Sequence, residues 1–225
     1  MAEHPLRKWS IGGLFVEIIN SLLERYPPLV SQETQLRKAG EILCSSARAG
    51  GKVLTCGNGG SASDAEHVVG ELMKDFKQKR PISEASKKKL LASDKFPEDL
   101  INSLQEAVPA ICLNSQTSLL TALINDGDPD MAFAQQVYGY GKQGDVLLAF
   151  STSGNSKNVL NAVRVARALG MRSILISGKS GGKIGDIADV SICVPETETY
   201  KVQELTLPVY HALCILVEQE LFGSL

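Results

Sequence analysis

His67 and Glu71 stand four residues apart in "CGNGGSASDAEHVVGEL", and Gln203 and His211 stand eight apart in "VQELTLPVYH". On a helix, positions four apart share one face, so this imidazole and this carboxylate would project together. Such a nitrogen and oxygen set suits a borderline divalent metal such as zinc. An ideal helix puts Gln203 and His211 about two turns and roughly 80° apart. Pro208 lies between them, removes one ladder hydrogen bond, and leaves room for a kink that would change that angle. Spacing alone is a weak signal, because a lone His–Glu pair on a helix is commonly a surface pair. The third histidine, His4, lies close to the start of the chain.

Two further stretches could hold an anion. "CGNGGSASDAEH" (56–67) supplies three glycines and then Ser61, where a helix N-terminus would offer free N–H groups. "STSGNS" (151–156) offers four hydroxyls, one carboxamide and one glycine with no charge. Ser151, Thr152, Ser153 and Ser156 can each donate to a phosphate oxygen. Neutral donors suit a phosphorylated metabolite that must leave after each turnover, whereas an arginine cluster would grip it harder. The bland alternative is a capping turn with Ser153 or Asn155 as N-cap. Two other readings fail. The glycine spacing at 57–62 loosely matches a dinucleotide fingerprint, but no strand and no acid follow where the ribose would need them. "SGKSGG" (177–182) lacks the first glycine of a phosphate loop, since position 173 is Ser.

Both stretches need strands that end where they begin. Strands are expected at Lys52–Cys56, Ala107–Asn114, Asp145–Ser151, Arg172–Ser177 and Val190–Val194. Helices are expected at Ile11–Arg25, Ser31–Ala49, Ser61–Phe76, Thr117–Ile124 with Met131–Gly141, Asn155–Leu169, a short turn at Lys183–Ile187, and Tyr200–Phe222. The strand runs are short, apolar and show little period-2 alternation, as parallel strands covered on both faces do. The expected fold class is α/β, a doubly wound parallel sheet of about five strands, with ligands outside the carboxyl ends. An N-terminal helical pair (about 11–49) precedes it. A charged insertion at about 77–99, "KQKRPISEASKKKLLASDKFPED", reads as a solvated excursion with a marginal helix or two, its Lys87–Lys89 run a solvated face.

The chain has 225 residues and a formal charge of -2, enough for one well-buried domain over 1–225 and without the basic excess of a nucleic-acid binder. Five scattered cysteines, with no C-x-x-C pair, read as reduced core residues in a cytosolic protein. No signal peptide is evident, and no run approaches the roughly 18 apolar residues of a membrane span. These features predict a soluble, cytoplasmic protein.

"GNGGSASDAEHVVGEL", "STSGNSKNVLNAVRVARALGM", "GKSGGKIGDIADVSICVP" and "YKVQELTLPVYHALCILVEQELF" together resemble the phosphoheptose isomerase branch of the sugar-isomerase (SIS) domain proteins. The resemblance covers 51–222 apart from the charged insertion, plus the leading helices. It implies a flavodoxin-like SIS domain with Asn58, Gly59, Gly60 and Ser61 lining a sugar-phosphate site. Ser151, Thr152, Ser153 and Ser156 would hold the phosphate, and Asn125–Asp126 would touch substrate. His67, Glu71, Gln203 and His211 would hold one zinc ion per subunit, Glu71 and Gln203 also lying against substrate. Glu71 and His211 would transfer protons in an aldose–ketose isomerisation, sedoheptulose 7-phosphate to a manno-heptose 7-phosphate. The resemblance also implies a homotetramer with sites shared between subunits. Tyr200, Lys201 and Thr206 depart from the family's pattern. A related branch binds the replication initiator, so a non-catalytic sugar-phosphate-binding regulator is the alternative expectation.

Overall fold

The computed structural model describes residues 12–93 and 96–223; the expectations at His4 and Ile11 lie outside them. Its strands are β1 (Val53–Cys56), β2 (Ala110–Cys112), β3 (Val146–Ser151), β4 (Arg172–Ser177) and β5 (Val190–Cys193). All neighbours pair in parallel, in the order β2-β1-β3-β4-β5. The absence of alternation in the sequence has its reason here. In β3, Val146, Leu148 and Phe150 join one core while Leu147 and Ala149 join a second on the other face. The expected α/β sheet of five parallel strands is what forms. β2 is shorter than expected: Pro109, without an N–H, precedes it, and Leu113–Ser115 turns into a 3-10 helix.

The first core is covered by α1 (Gly12–Arg25), α2 (Glu33–Arg48), α3 (Gly60–Met73) and α9 (Thr199–Phe222). The second is covered by α6 (Ala132–Tyr140) and α7 (Lys157–Ala168), with α8 (Gly182–Gly185) beside them. α4 (Glu84–Leu91) and α5 (Thr117–Asp126) have no buried residue. α4 is the marginal helix expected in the insertion, and a 3-10 turn at Glu98–Ser103 follows at the insertion's end. Its solvated reading needs correction at one end, because Arg80 and Ile82 are buried.

α9 matches the helix expected at Tyr200–Phe222 and adds Thr199. It runs unbroken through Pro208 as 24 residues, and by length and composition alone it could cross a membrane. More than half of that apolar stretch (56%) is buried inside the protein, so it serves as a core helix. α3 stops at Met73, three residues before the expected end, where Lys74 adopts an extended conformation. The five cysteines are free; four are buried, and burial pushes the Cys44 thiol up to about 11.

Candidate active site

Strand order reverses direction between β1 and β3, and in such sheets ligands collect outside the carboxyl ends at that point. "GNGGS" leaves β1 there and "STSGNS" leaves β3 beside it. Asn58 and Asn158, in the first turn of α7, join the glycine turn to the helix that follows the second turn through a reciprocal carboxamide pair, 3.0 and 2.9 Å. Asn114 holds Gly57 from the other side, accepting from its N–H (3.2 Å) and donating to its carbonyl (2.8 Å). Neither Asn114 nor Asn158 was singled out in the sequence. Only the strand order explains their roles, since their partners lie 57 and 100 residues away.

Gly59 is the cap residue of α3, Gly60 its first residue, and Ser61 is buried just inside it. The Gln203 amide lies so close to Gly60 that a Cβ there would collide with it. In the second turn, Ser151 is buried at the end of β3 and its hydroxyl lies 3.2 Å from that of Ser156. Ser153 accepts from the Asn155 N–H (3.2 Å). The N-cap of α7 is Ser156, not Ser153 or Asn155, and no side chain caps it. Capping therefore does not account for the hydroxyls. Gly154 must be glycine: its φ is +65°, and a Cβ would strike the Gly181 carbonyl.

α3 and α9 run side by side in the same direction. Gly60 lies against Gln203 and His67 against Tyr210, the same 143-residue separation in both cases. Farther along this pair, His67 Nε2 lies 3.0 Å from Glu71 Oε1 and Nδ1 lies 2.9 Å from the Tyr210 hydroxyl. Burial first, then the Asp64 carboxylate, raises the Tyr210 pKa, so its hydroxyl keeps its proton. The same hydroxyl is hydrogen-bonded to the Asp64 carboxylate, so it stands between that carboxylate and His67 Nδ1. Lys74 Nζ sits 3.4 Å from the other carboxylate oxygen of Glu71. The His211 ring packs 5.0 Å from that of His67, and its Nε2 is buried without a partner among the described residues. Burial, and then the charge of His67, lowers the His211 pKa, which favours the neutral imidazole.

Not every expected residue joins this group. Asn125 and Asp126 end the exposed helix α5, where Asn125 donates to Asp126 (2.7 Å). Gln203 lies about two turns before His211, turned onto Gly60. Among the described residues, no three His, Cys, Asp or Glu side chains are grouped to hold one metal ion. The donor types still fit zinc, and the unpartnered His211 nitrogen is the observation that favours a ligand.

This is the architecture of a doubly wound parallel α/β domain, and two SIS domain family profiles match it at residues 108–216 and 15–92. A phosphoheptose isomerase from Akkermansia muciniphila is 33% identical over 92% of this chain and 96% of its own. That of Thiobacillus denitrificans is 40% identical over 84% and 85%. Among solved structures, the phosphoheptose isomerase of Neisseria gonorrhoeae is 32% identical, with a TM-score of 0.68 over 92% of this chain and 95% of that one. The chain belongs to the phosphoheptose isomerase family of SIS domain proteins.

Proposed function

We propose that the protein isomerises a ketose phosphate to an aldose phosphate, with sedoheptulose 7-phosphate as substrate and a manno-heptose 7-phosphate as product. The observation that carries this is the grouping of Glu71 and His211 with His67 on the parallel helices α3 and α9, whose N-terminal ends carry the glycine turn and Gln203. Ser151, Thr152, Ser153 and Ser156 receive the phosphate, and Asn58 to Ser61 with Gln203 line the sugar. Glu71 removes the proton from the carbon beside the carbonyl, and the resulting enediol regains it on the neighbouring carbon. Neutral His211 moves a proton between the two oxygens. Family membership and the donor types support a zinc ion on His67, Glu71, Gln203 and His211. When bound, zinc would polarise the carbonyl. We also read the chain as one domain and as a cytoplasmic homotetramer. The exposed apolar side chains of α5, Leu119 and Ile124, support self-association.

The test is exchange of the substrate's carbon-bound proton in heavy water. Wild type should exchange it, and Glu71→Gln should lose turnover by about 10²–10⁴ while still binding the phosphate. His211→Ala should behave alike and bind less zinc by metal analysis. Binding of the sugar phosphate by zinc-loaded wild type without any exchange would turn the reading to a non-catalytic regulator.

A further inference from the structure

Arg80 lies in a run of charges, "KQKR", yet is among the most deeply buried side chains of the protein. Its ion-pair partner, Glu218 on α9, is also fully buried. We propose that Arg80 and Glu218 form a clasp that positions Glu71 and His211 for proton transfer; this rests on the isomerase reading above.

The bonds reach both groups. Arg80 donates from Nε to Glu218 Oε1 (2.7 Å), from one terminal nitrogen to the Leu72 carbonyl (2.8 Å), and from the other to the Glu71 carbonyl (3.0 Å). These carbonyls belong to the last turn of α3, which lacks intrahelical partners and favours a cation. The backbone of Glu71 is thus gripped directly. Glu218 accepts from the Phe76 N–H on Oε1 and from the Lys77 N–H on Oε2, both at 2.8 Å. Phe76 in turn packs its ring 5.4 Å from His211. One buried pair therefore fixes the backbone beside Glu71 and the aromatic wall beside His211.

An apolar pair of equal volume would bury the same space, and replacing buried ion pairs that way is often neutral for stability. It would not hold two carbonyls. Lysine would not either, because its single nitrogen cannot occupy the three separate positions from which the guanidinium nitrogens reach Glu218, Leu72 and Glu71. The clasp also stands apart from the glycine turn: Leu72 lies at the opposite end of α3 from Gly60, roughly 18 Å along the helix. A change here should leave the phosphate grip alone.

Two variants test this beside Glu71→Gln, all assayed per folded molecule. Arg80→Met with Glu218→Leu removes both charges, so that no unpaired charge stays buried. Arg80→Lys keeps a cation against Glu218 and secures the fold independently. We expect kcat to fall about 10- to 100-fold in both, with KM within about twofold of wild type and proton exchange falling in step with kcat. Unchanged kcat in both variants, beside an inactive Glu71→Gln, would reduce the clasp to a structural pair and overturn the proposal. A raised KM with kcat kept would overturn it too. Wild-type turnover by Glu71→Gln would instead remove the base assignment, a distinct failure.

Discussion

Ser151 and Ser153 contribute to the phosphate turn from different surroundings. Ser151 is buried at the strand end and faces Ser156, whereas Ser153 is exposed and organises the turn through the Asn155 N–H. Hydrogen bonds to a charged phosphate contribute roughly 1.5–3 kcal/mol each, so Ser151→Ala with Ser153→Ala should weaken sugar-phosphate binding at least about tenfold. Calorimetry giving wild-type affinity would remove this turn from the site. The hydroxyls were legible because they are clustered and neutral in sequence. Arg80 was not. Nothing local separates it from Lys77 and Lys79, and the partner that buries it lies 138 residues on. Asn158 escaped notice for the same reason: its carboxamide is paired across a gap of 100 residues.

At the level of elements, α4 shows how a charged segment is tethered without being buried. Ser83 caps it by accepting from the Ser86 N–H (3.2 Å), and Glu106 accepts from the Ser83 N–H and the Ser86 hydroxyl, each at 2.8 Å. The Ser83 N–H, then the Ser86 hydroxyl, lowers the Glu106 pKa below its ordinary 4.5. A carboxylate with a depressed folded pKa supports the structure above its unfolded value and loses that support as pH falls through the folded one. Protection of the Ser83 and Ser86 amides against hydrogen exchange, corrected for intrinsic rates, should therefore fall below pH 4.5. Glu106→Gln should flatten this dependence. Equal pH profiles for the two proteins would refute the tether. The strands and most helices were legible from apolar runs and their spacing. Helix ends were less so, because α3 stops where Arg80, eight residues beyond Leu72, meets its carbonyls rather than at a helix-breaking residue. The course of α9 was legible, and it runs through Pro208 to Phe222 as expected.

At the scale of the whole molecule, α5 presents an apolar surface among the described residues. α5 buries none of its residues, and Leu119 and Ile124 are 37% and 54% exposed. If subunits associate there, wild type should sediment as more than one chain, and Leu119→Glu with Ile124→Glu should shift it toward a monomer. Sedimentation of wild type as a single chain at micromolar concentration would end the tetramer reading. The parallel course of α3 and α9 has another consequence, for how the chain can vary in length. Each residue added to a helix turns everything beyond it by about 100° and advances it by 1.5 Å. One inserted residue between Gly60 and Glu71 would thus carry Glu71 off the face it shares with His211, though every amino acid of the site remained. α4 carries no such register, having no buried residue, so added length there changes only what solvent meets. Natural insertions, and any label an experimenter adds, belong near 84–93, while α3 and α9 admit substitution but not a change of length.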